Sequence, residues 1–131
     1  MKIPILSYHS ISDENCPLSL KKNQFENQLK YLKKNGFQSV FIDEISTSNN
    51  KQFIITFDDG YKDLIANSLP ILKKYNFKAT CFVVSNLIGK TNSWDEENKN
   101  ILKKKLMDSD DICLWIKNGM KVGSHSKNHL N

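Results

Sequence analysis

Apolar positions along the chain alternate between two periods. Residues 3–8, 38–42, 53–57, 79–84 and 121–124 are short apolar or β-branched runs that predict strands. Between them, Phe25, Leu29 and Leu32 recur at helical spacing, as do Leu64, Ile65, Leu69 and Leu72, and then Ile112, Trp115 and Ile116 as an inward face. Asn23 and Glu26 have the spacing of a capping box, and Gly36 is a favoured helix stop. Pro70 predicts a kink or break in the helical stretch 61–75. Asp108 or Ser109 can cap the last helix, which runs to Asn118 and stops at Gly119. Residues 9–20, 46–51 and most of 86–105 are polar and read as loops, the last anchored by Trp94 with room for a helix after it. Strand and helix alternate throughout, which argues for parallel strands in an α/β layer or barrel.

In such folds the chemistry collects at the C-terminal ends of the strands. The stretch FIITFDDG places Asp58 and Asp59 where a strand buried on both faces stops. Two adjacent carboxylates repel, and desolvation adds to the cost, so the pair needs a cation, a shared proton or a wet loop. His9 ends the first strand, and His125 and His129 follow the last, so all three histidines of the chain map to the same face as the acids. On one helical turn the four-residue spacing of His125 and His129 would put both imidazoles on one side. Two imidazoles and a carboxylate form a ligand set for zinc and other divalent first-row ions. Taken alone, Asp-Asp-Gly also reads as a turn, and H-x-x-x-H as exposed surface.

Composition narrows the class. The 131 residues suggest one domain, with a 39% hydrophobic and 25% charged content in the globular range. The net charge is +5, and all 19 basic residues are lysines, mostly on predicted helix faces. Without arginine the chain lacks the bidentate fork favoured for phosphate and guanine, so a nucleic-acid partner ranks low. Cys16, Cys81 and Cys113 are odd in number and far apart, with no C-x-x-C, so neither a disulfide framework nor a zinc ribbon is indicated. Cys81 and Cys113 read as buried thiols. No apolar run reaches membrane-spanning length, and the short apolar stretch of MKIPILSYHSI does not read as a signal sequence, so the expected location is cytoplasmic.

ITFDDGY, then LPILKKYNFKATCFVV, then MKVGSHSKNH closely resemble the polysaccharide deacetylase family, also called the NodB-homology or carbohydrate esterase family 4. PILSYHSI looks like the first strand of many members, and SWDEENKN is similar to a subgroup with Trp-Asp in that loop. The resemblance implies an irregular seven-stranded (β/α) barrel, of which residues 1–131 would be a single partial domain, about the first half. It implies that Asp58 is the general base, that Asp59, His125 and His129 hold the metal, usually zinc, and that Ser126 orients the loop between the histidines. The implied reaction removes an N-acetyl or O-acetyl group from a saccharide or saccharide precursor, through a water whose pKa the metal lowers. His9, Gly60 and Tyr61 stand close enough in the pattern to support the ligands or touch substrate.

The pattern departs from the family after His129. Relatives continue with an Arg-containing motif, an Asp/Trp motif and a Leu-x-His motif that supplies the catalytic acid, and Leu130 stands where a proline often follows the second histidine. The chain is therefore expected to be the N-terminal portion of a deacetylase domain, with an open barrel edge that later elements or a second copy would cover. Two other readings stay open: a catalytically silent metal- or carbohydrate-binding fragment, and a lysine-rich nucleic-acid-binding module.

Overall fold

The computed structural model describes residues 2–47 and 51–129. Its elements are β1 (Ile5–Tyr8), β2 (Ser10–Ile11), β3 (Ser19–Leu20), α1 (Lys22–Lys34), β4 (Gln38–Ser39), β5 (Gln52–Phe57), α2 (Asp63–Asn67), α3 (Leu69–Tyr75), β6 (Thr80–Val83), α4 (Ser109–Lys117) and β7 (Lys121–Ser124). The main sheet runs β1-β5-β6-β7 with every pair parallel, and β4 pairs with the start of β5. This is the expected mixed α/β arrangement. The strand β5 lies at its centre, and its apolar residues Phe53, Ile54, Ile55 and Phe57 are all buried, as a strand covered on both faces requires.

An aromatic chain fills the core. Phe57 meets Trp115 edge-on at 5.8 Å and Phe25 at 5.8 Å, and Phe53 meets Phe77 at 5.1 Å. These contacts pin α1 and α4 to β5. Phe25 and Leu29 form the buried stripe of α1, and the helix ends in a Schellman motif. The Gly36 N–H donates to Lys33 O and the Phe37 N–H to Leu32 O, with Gly36 at φ +77°. The helical stretch around Pro70 is broken, with α2 and α3 meeting at Ser68, whose hydroxyl donates to Leu64 O at 2.7 Å. Proline has no N–H to give the preceding turn, so it sits at the start of α3, where none is needed.

Several expectations are corrected. Asn23 and Glu26 form no capping box; the helix starts two residues earlier, with Lys21 rather than Asn23 at its N-cap and no side-chain cap. Instead Glu26 accepts from Lys74 Nζ at 2.6 Å. The loop 9–20 contains β2 and β3, which pair in parallel. The strand expected over 38–42 is regular for only two residues, after which Ile42–Glu44 forms a 3₁₀ turn. The loop after Trp94 holds no α-helix, only the 3₁₀ turn Ser93–Asp95. Trp115 is fully buried on α4, but Ile116 is 53% exposed and Cys113 is exposed, because that helix packs through a narrow stripe. The expected loop 46–51 lies in part outside the described residues. No helix among the described residues is long and apolar enough to cross a membrane.

Candidate metal centre

The sheet presents the site at the C-terminal ends of β5 and β7. Phe57 is the last residue of β5; Asp58 continues it, with its N–H donating to Tyr8 O at 2.9 Å. The chain then turns at Asp59 and Gly60, which stand at φ +71° and +74°. A left-handed conformation is costly for a side-chain-bearing residue and is enriched at functional sites. Here it swings the Asp59 carboxylate inward, leaving it 2% exposed, while Asp58 stays half-buried. At Gly60 a Cβ would lie 2.9 Å from Val83 Cγ1, so close packing against β6 admits only glycine.

The two later histidines arrive on a loop rather than a helical turn. His125 continues β7, its N–H donating to Val83 O at 2.8 Å. Ser126 and His129 both have positive φ, +64° and +52°. Ser126 Oγ accepts the His129 N–H at 3.0 Å and closes a compact turn. Asn86 ties the loop down, its N–H donating to Lys127 O and its side chain to Asn128. The helical-turn expectation therefore fails, yet the turn still brings both imidazoles to one point. Their ring centroids lie 5.1 Å apart.

That point is Asp59 Oδ1. His129 Nε2 lies 3.1 Å from it and His125 Nε2 3.4 Å. The oxygen is buried and has no hydrogen-bond partner among the described residues. Burial raises the Asp59 carboxyl above its ordinary range; the imidazoles of His129, His9 and His125 pull it down, and Asp58 pushes it up. A buried carboxylate oxygen left without a donor, with two imidazole nitrogens converging on it, is a donor set that fits a divalent cation.

The remaining sequence candidates lie around this cluster. His9 follows β1 and is near enough for its charge to act on Asp59. The Asp58 Oδ2 accepts a long 3.5 Å hydrogen bond from Ser7 Oγ. Tyr61, directly after Gly60, is 1% exposed, and its backbone forms an antiparallel bridge with Leu106. Burial, followed by the Asp59 charge, pushes its phenol up.

Sequence reasoning missed two supports. Lys104 reaches in from its loop to Asp63 at 2.8 Å and Glu14 at 2.6 Å, and donates to Ser10 and Ser12. Asn92, 1% exposed, accepts the Lys104 N–H at 2.7 Å and donates to Leu102 O. Both sit in a Lys/Asn-rich segment where nothing local distinguishes a buried polar side chain from a solvated one.

Comparison with known proteins places the chain among polysaccharide deacetylases. The family model for polysaccharide deacetylases matches residues 46–131. The chain is 35% identical over 136 aligned positions to YxkH of Bacillus subtilis, a polysaccharide deacetylase homologue, covering 98% of this chain and 44% of that protein. It is 32% identical over 109 positions to the poly-β-1,6-N-acetyl-D-glucosamine N-deacetylase of Staphylococcus epidermidis, covering 79% and 37%. Among solved structures, the Streptococcus pyogenes deacetylase PplD in complex with acetate superposes with a TM-score of 0.78 at 28% identity, covering 99% of this chain and 58% of that one. The chain thus spans less than half the length of these two curated relatives.

Proposed function

The chain belongs to the polysaccharide deacetylase family, and from that premise we propose that it carries the metal-holding part of a hydrolase that removes acetyl groups from an acetylated saccharide. The observation that carries the reading is the buried, undonated Asp59 Oδ1 with His125 and His129 converging on it. Asp59, His125 and His129 would hold the cation, and two imidazoles with one carboxylate suit zinc. When bound, the cation would supply Lewis acidity towards an acetamide carbonyl and lower the pKa of a water beside it.

The chain's own residues divide the remaining work. Asp59 is turned inward by its left-handed backbone and is committed to the cation. Asp58 leaves the strand end before that turn and stays half-buried, where a water can reach it. As general base it takes a proton while the water oxygen bonds to the acetyl carbon. The C–N bond then breaks as the leaving nitrogen takes up the proton held by Asp58, giving acetate and a free amine. The N-acetylglucosamine polymer named for the Staphylococcus relative and the acetate bound by the Streptococcus one both suit this reaction class. Among the described residues the outer edges of β1 and β7 pair with no strand of the main sheet, and they offer pairing surfaces for further strands or for a second copy.

The test is acetate release from β-1,6-linked N-acetylglucosamine oligomers by zinc-reconstituted full-length protein. Turnover that falls at least about 100-fold in Asp58→Asn supports the reading. Stoichiometric zinc with no acetate released from this or other acetylated saccharides would leave a metal- or carbohydrate-binding protein in its place.

A further inference from the structure

Trp94 lies flat on His129. The ring centroids are 4.3 Å apart and the planes differ by 14°. This matters because of what else the imidazole lacks. A metal-ligating histidine is ordinarily aimed by a hydrogen bond from its second ring nitrogen to a carbonyl or carboxylate. His129 Nδ1 is buried and has no such partner among the described residues. Its backbone, at φ +52°, is held through the Ser126 turn, which fixes the main chain and leaves the ring free to rotate. Something else must set the ring plane that keeps Nε2 3.1 Å from Asp59 Oδ1.

The indole can do this because it is itself anchored. Trp94 sits in the 3₁₀ turn Ser93–Asp95, directly after Asn92. The Asn92 N–H donates to Lys104 O at 3.2 Å, its amide oxygen accepts the Lys104 N–H, and its amide nitrogen donates to Leu102 O. The Lys104 ammonium in turn is fixed by Asp63 and Glu14. Rotating the imidazole about its Cβ–Cγ bond would drive its edge into the indole face. Flat stacking also favours an electron-poor imidazole over an electron-rich indole, the condition of a ring that donates to a cation.

We infer that Trp94 is a positioning residue for the metal centre, aiming His129 by stacking where other sites use a hydrogen bond. The inference rests on the proposed metal site. It is tested by calorimetric zinc titration of wild type, Trp94→Leu and Trp94→Phe, with unfolding midpoints measured without zinc and tryptophan emission followed during titration. Expected are a roughly 10- to 100-fold weaker zinc affinity in Trp94→Leu, recovery to within a few-fold in Trp94→Phe, and similar zinc-free midpoints. A zinc-dependent emission change in wild type should vanish in Trp94→Phe. Equal affinity in wild type and Trp94→Leu overturns this inference alone. Failure of wild type to bind zinc overturns the metal site and the inference with it. If Trp94→Leu does not fold, the emission titration decides. A saturable change that is lost in Trp94→Phe and His129→Ala supports the role, and no change in wild type overturns it.

Discussion

Two neighbouring acids end up in different surroundings because the backbone changes hand between them. Asp58 extends β5, whereas Asp59 has φ +71° and is almost wholly buried. Alternation along an extended strand already argues that adjacent carboxylates cannot both face one ligand, and the turn adds inward burial for the second. Asp59→Asn should therefore abolish tight zinc binding in calorimetry, since a neutral amide is a poor ligand. Asp58→Asn should bind zinc within a few-fold of wild type. Equal losses would mean the acids act as a joint ligand pair. At Gly60, φ +74° and the 2.9 Å approach of Val83 Cγ1 act together. Gly60→Ala should cost about 1–3 kcal/mol in denaturant unfolding; a neutral outcome would show that β6 can yield.

Among the elements, α4 shows how a motif legible in sequence gains a partner that is not. Asp108 caps the helix by accepting the Asp111 N–H, and Asp111 reciprocates towards the Asp108 N–H. Lys62, 46 residues away, then binds both carboxylates at 2.8 and 2.7 Å. Its hydrogen bond, with the Asp111 N–H, depresses the Asp108 carboxyl to about 2. The folded pKa lies below the ordinary value, so the stability it contributes is present above about pH 4 and lost as pH falls towards 2. Wild type should lose part of its unfolding midpoint across that window, and Asp108→Ala should lose less, the difference being this cap. Helix positions were readable because Phe25, Leu29, Leu64, Leu72 and Trp115 keep a period that solvent imposes. The false capping box at Asn23–Glu26 arose because Glu26 has a better offer from Lys74. The short strands β2 and β3 were unreadable because Ser10 and Ser19 have no apolar alternation. They are held by hydroxyls and by Lys104. Lys104→Ala would strand the Asp63 carboxylate, which is mostly buried, and should destabilise by roughly 3 kcal/mol, at the low end for a buried pair because Glu14 is exposed; chemical denaturation measures it.

At the scale of the molecule, the sheet brings the end of β5 and the loop after β7 together across β6, although some 65 residues separate them in sequence. Parallel strand order alone made it foreseeable that the acid pair and the histidines share one face; the choice of Asp59 over Asp58 came from the family resemblance. The loop that brings the histidines together was not foreseeable, because positive φ at Ser126 and His129 leaves no mark in residue type. A cation there would cross-link the two segments only in the folded state, so zinc should raise the unfolding midpoint, by about 2.7 kcal/mol in stability at a free concentration 100 times Kd, and chelation should reverse it. The most direct measurement is zinc-edge X-ray absorption on the stoichiometrically loaded protein. One zinc per chain is expected, with two imidazole nitrogens and a carboxylate oxygen at about 2.0–2.2 Å, the imidazole signature halving in His125→Ala. A spectrum without imidazole scattering, or one unchanged by that substitution, would contradict it.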